Sequence, residues 1–137
     1  MIFEPNENSK HVRRTAQGVS WMNEDNILCS YYVKDGPARL SDEEQQAGVD
    51  YAYDLVKKYG KLKILIAIDH SPPSVKSDRD AGAPLLEEIT DAMALVGSQP
   101  LARLAAKMFF GLKPSTYPVK IFKEHEEAIE WLRNIND

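Results

Sequence analysis

The apolar positions of this chain change period along its length, and each period names an element. Ile64-Leu65-Ile66-Ala67-Ile68 is an unbroken apolar run rich in β-branched residues. It predicts a strand over 62–68 buried on both faces. Pro72 and Pro73 stop it, and the polar triplet Asp69-His70-Ser71 stands where the strand runs out. Upstream, Val19, Trp21, Ile27, Leu28, Tyr31, Tyr32 and Val33 flank the turn-forming Asn23-Glu24-Asp25-Asn26. That pattern predicts a hairpin with strands near 11–22 and 26–34, with Gly18 marking a bulge or a break in the first.

Helical spacing takes over at Ser41-Asp42-Glu43-Glu44. The serine with a glutamate three residues later spells a capping box, and three acids suit the helix dipole. Tyr51, Ala52, Leu55, Val56 and Tyr59 recur on one face, Lys57 and Lys58 fill the last turn, and Gly60 ends a helix over 42–59. Between 78 and 91 two readings stand. Either one turn near 78–82 precedes a bend, or a helix starts with Pro84 in its first position. Ala92-Met93-Ala94-Leu95-Val96 predicts another buried strand. Ser98 caps a helix over 99–112 with Leu101, Leu104, Met108 and Leu112 on its apolar stripe. A strand over 119–122 and a helix over 124–134 complete the order ββαβαβαβα. Strands alternating with helices imply an α/β fold whose inner strands are parallel.

The 137 residues fit one domain with its own core. A net charge of −4 argues against general nucleic-acid binding. Cys29 is the one cysteine, so neither an internal disulfide nor a cysteine zinc cluster can form. It alternates within a strand as a small core residue does. His11, His70 and His125 have no metal-ligand spacing, so neither metal nor cofactor is expected, and His125 reads as solvated in the first turn of its helix. Residues 1–10 are polar and expected to be loosely ordered. They lack the basic and apolar regions of a signal peptide, and no apolar run reaches membrane-spanning length, which predicts a cytoplasmic protein.

Four segments together resemble a known family. They are Ile64–Asp69 with its polar loop, Ala92–Ser98 leading into Leu101–Leu112, Pro118-Val119-Lys120-Ile121-Phe122, and Glu127-Ala128-Ile129-Glu130-Trp131-Leu132. The chain resembles the STAS domain, and within it the small bacterial SpoIIAA-like proteins grouped with Sec14/CRAL-TRIO lipid-binding domains. The likeness covers roughly residues 15–135, and its ending, P-x-x-x-F followed by E-A-x-x-W-L, is the more specific part. It implies a single STAS-like domain over 11–137 with a mixed sheet of about five strands. It also implies a non-enzymatic binding or regulatory module. Its Sec14 side points to an apolar or amphipathic small molecule or lipid, held between the 78–91 and 99–112 helices and the sheet ends. Its sigma-antagonist side points to a regulator that binds a partner protein and is switched by serine phosphorylation. The nearest match to the family's phosphorylated motif is Ser77-Asp78, but Arg79-Asp80 follows where a glycine is expected.

Asp69, His70 and Ser71, with Ser77 and Arg79, are thus the ligand or switch candidates. Adjacent residues cannot form a catalytic triad with one another, and Asp69 and Ser71 would equally serve as loop groups that satisfy backbone after a buried strand. A small hydrolase using His70 is the third reading. Ser77 reads either as a phosphosite, beside Lys76 and Arg79 at a helix start, or as an N-cap. On the 99–112 helix, Phe110 points away from the apolar stripe beside Arg103 and Lys107, and Lys113 follows. An aromatic among cations suits a peripheral membrane contact, a partner protein or a homodimer.

Overall fold

The computed structural model describes residues 3–72, 76–98, 100 and 116–135, and the side chains of 76–81 lie outside the description. Its elements are β1 (Lys10–Arg14), β2 (Gly18–Met22), β3 (Ile27–Tyr32), α1 (Asp42–Tyr59), β4 (Leu62–Ala67), α2 (Lys76–Ile89), β5 (Thr90–Val96), β6 (Val119–Phe122) and α3 (His125–Asn134). The strands form one six-stranded sheet in chain order. β1, β2 and β3 pair antiparallel, and β3 through β6 pair parallel. This is the expected α/β fold with a mixed sheet.

The sixth strand comes from the expected first one, which divides at Thr15. The Thr15 hydroxyl accepts the N–H groups of Gln17 and Gly18 at 3.1 and 3.2 Å, and Thr15 N–H reaches the Gly18 carbonyl at 2.9 Å. A hydroxyl that takes over backbone donors makes a turn in place of a continuous strand. Gly18 is required there because a Cβ would run into the Tyr31 carbonyl across the ladder.

Helix α1 starts and stops as its sequence dictates. Ser41 Oγ accepts the Glu44 N–H at 3.2 Å, and Gly60 takes a positive φ of 77° while its N–H bonds the Val56 carbonyl. Helix α2 overturns both readings of its region. It runs unbroken from Lys76 with Pro84 inside it. Proline there gives up one backbone bond, but Leu85 and Leu86 pack on the core and Ile89 is buried, and this packing outweighs the local cost. Ser77 lies within the first turn, so it is not the N-cap.

The sheet is covered on both faces. On one, Trp21, Cys29, Leu65, Ala94 and Phe122 lie beneath Ala128 and Leu132 of α3. On the other, Leu28, Ile64, Met93 and Leu95 lie against Ala52 and Leu55 of α1 and Ile89 of α2. β4 is central to both layers, with Leu62, Ile64 and Leu65 each under 5 % exposed. Each such side chain contributes about 1.5–3 kcal/mol of hydrophobic stabilisation. The N-terminal segment takes part as well, since Phe3 packs on Trp21, Tyr31 and His125. The helix expected over 99–112 lies outside the described residues except for Pro100, and with it Arg103, Lys107, Phe110 and Lys113. Among the described residues no helix is long and apolar enough to cross a membrane.

Candidate functional site

The parallel strands all end at one edge of the sheet, and their ends are tied together there. After β4 the chain turns at once, with Ser71 N–H bonded to the Ile68 carbonyl at 3.1 Å. His70 occupies the third position of that turn with φ 65°, a left-handed conformation that histidine tolerates better than most side chains. The turn sends the exposed His70 outward and leaves Asp69 half-buried beside the next strand. Asp69 Oδ2 accepts the backbone N–H of Ser98 at 3.2 Å and its hydroxyl at 2.7 Å. Ser98 stands just beyond β5, so the carboxylate bridges two neighbouring strand ends. The Ser71 side chain stands near the Tyr32 phenol at the end of β3. Burial raises the Tyr32 phenol above its usual range, and the nearby Ser71 side chain partly offsets this.

His125 completes the edge from the start of α3. It is half-buried, not solvated as its sequence position suggests, because the Phe3 ring stacks on it at 4.3 Å. Burial lowers its pKa, and the carboxylates of Glu126, Glu124 and Asp69 oppose that shift. Asp69, Ser71, Ser98, Tyr32 and His125 therefore share one edge. The sequence named Asp69, His70 and Ser71 for this place. It missed Ser98 as the partner of Asp69 and Tyr32 as the partner of Ser71, because both pairings join residues on different strands. Ser77 and Arg79 fall in the first turn of α2, with side chains outside the described residues.

Asp69 thus accepts two donors from one serine and braces two neighbouring strand ends. Among the described residues no group of three or more His, Cys, Asp or Glu side chains could hold a metal ion.

A second concavity lies on the α3 face under the N-terminal segment. Phe3, Trp21, Cys29 and Ile129 form its walls, and Asn6 and Asn23 line its mouth. At about 140 Å³ it is well below the size that encloses a drug-sized ligand. Cys29 there is inert: its Sγ donates to the Ile27 carbonyl at 3.6 Å, and burial pushes the thiol up to about 12.

Residues 20–136 match the model of a family described as a domain of unknown function, DUF7793. The chain belongs to that family. No curated protein matches it. A crystal structure of a protein with unknown function from Arthrobacter sp. FB24 is similar at 21 % identity and a TM-score of 0.29. That likeness covers 88 % of this chain and 95 % of the other. The DUF7793 match spans β2 through α3, and so includes every residue of the strand-end cluster.

Proposed function

We propose that this DUF7793 chain is a non-catalytic binding module of the STAS-like kind, which takes a small amphipathic molecule at the carboxyl edge of its parallel strands. One observation carries the reading. Asp69 ties the end of β4 to Ser98 after β5, and Ser71 brings a hydroxyl near the Tyr32 phenol at the end of β3. Three consecutive strand ends thus form a fixed polar shelf where open α/β sheets gather their ligands. Hydroxyls and a carboxylate suit a ligand's polar group. The resemblance to Sec14 domains supports an apolar remainder.

Native mass spectrometry of the purified chain, compared with the same sample denatured, tests this. The expected result is a noncovalent adduct that disappears on denaturation and is depleted in Asp69→Ala. A bare chain in both spectra overturns the reading. A covalent phosphate that survives denaturation, mapped to Ser71 or Ser77, replaces it with the partner-binding regulator.

A further inference from the structure

Along the β1 side of α1 lies a second surface that the strand-end site does not use. β1 is an edge strand, and the end of α1 packs beside it. Tyr59 there is flanked by Lys10 Nζ at 5.6 Å and Lys58 Nζ at 5.7 Å from its ring centre. His11 Nε2 meets the Tyr59 hydroxyl at 3.1 Å. One step along, the Arg13 guanidinium sits over Tyr51 at 6.0 Å and donates to the Glu44 backbone carbonyl at 3.0 Å, while Tyr51 donates to the His11 carbonyl at 2.6 Å.

Among the described residues, Lys10, Arg13 and Lys58 make no ion pair with a carboxylate. That is unexpected in a chain of net charge −4. Helix α1 carries Asp42, Glu43 and Glu44 in its first turn, Asp50 and Asp54 in its middle and Lys57 and Lys58 in its last. The two tyrosines hold the cations in place, which reduces the side-chain entropy that a partner would otherwise have to freeze. An ordered cluster of unneutralised cations draws a polyanion. The ring faces already carry cations, so they are not available to stack nucleic-acid bases.

We infer that this face, formed by Lys10, His11, Arg13 and Lys58 around Tyr51 and Tyr59, docks an acidic polypeptide segment of another protein. Fluorescence anisotropy with a labelled oligoglutamate, on the full chain at low salt, tests it. Binding should weaken with added salt, and Lys10→Glu/Lys58→Glu should weaken it about tenfold or more. Lys10→Gln/Lys58→Gln should fall in between. Both sites are exposed, and an unchanged circular dichroism spectrum verifies the fold of each variant. Three results would each overturn the proposal. They are no oligoglutamate binding, equal binding by the charge-reversed variant, and tighter binding of oligothymidylate or phosphatidylserine vesicles. Equal-affinity self-association detected by mass photometry, lost in the same variant, would reassign the face to a second copy of this chain.

Discussion

Asp69 and Ser98 are 29 residues apart in sequence, yet one carboxylate oxygen holds both the N–H and the hydroxyl of the serine. Asp69→Ala removes two charge-assisted hydrogen bonds at a partly solvated site. The expected loss is about 1 kcal/mol of global stability. A faster hydrogen exchange at the Ser98 amide should accompany it. A variant whose Ser98 amide keeps its protection would show that the brace does not hold the β5 end.

His125 makes stability depend on pH. Burial lowers its pKa in the fold, whereas an unfolded histidine titrates near the ordinary value. Once pH falls below that ordinary value, the unfolded chain binds more protons, so stability declines as pH drops through about 6.5 and levels off below the folded pKa. His125→Phe retains an aromatic partner for Phe3 without a titrating group. Urea melts from pH 7.5 to 5 should show a shallower decline in this variant than in the parent. Identical slopes would place the proton elsewhere.

Cys29 is shielded by position and by chemistry, with its thiol pushed up to about 12. Iodoacetamide at mildly alkaline pH should leave the native chain unmodified and alkylate the guanidinium-unfolded chain fully. Mass spectrometry reads both.

Gly18 faces the Tyr31 carbonyl with no room for a Cβ. Gly18→Ala must push β2 away from β3, and a loss of about 1–3 kcal/mol in denaturant midpoint experiments is expected.

Thr90 is buried at 2 % exposure, and its Oγ1 has no hydrogen-bond partner among the described residues. Thr90→Val keeps the shape and removes the unsatisfied hydroxyl. It should raise stability by about 1 kcal/mol, measured by the same melts.

These contrasts show which signals are local. Helix α1 was legible because its serine cap, acidic first turn and closing glycine all act within a turn of themselves. β4 was legible because burial on both faces leaves an unbroken apolar run. The break between β1 and β2 was marked in the sequence by Gly18, but the Thr15 hydroxyl that turns the chain there leaves no trace in the apolar periodicity. Pro84 misled because tertiary packing overrode a local penalty. At the site, Asp69 and Ser71 announced themselves by following a buried strand. Ser98, Tyr32 and the Phe3–His125 stack did not, since each depends on a neighbour brought in from another element.

Every strand pairs with the strand before it in the chain, so no pairing waits for a distant segment to arrive. Closures in this order cost less chain entropy than a permuted strand order would. The sheet can grow outward from its first hairpin as the polypeptide lengthens, each crossover adding one strand to an existing edge. Helix α3 reaches back furthest along this path, where Arg133 grips Asp25 across 108 residues at 2.9 Å. That clasp joins the last described helix to the β2–β3 turn, so it can form only after every described strand has been made.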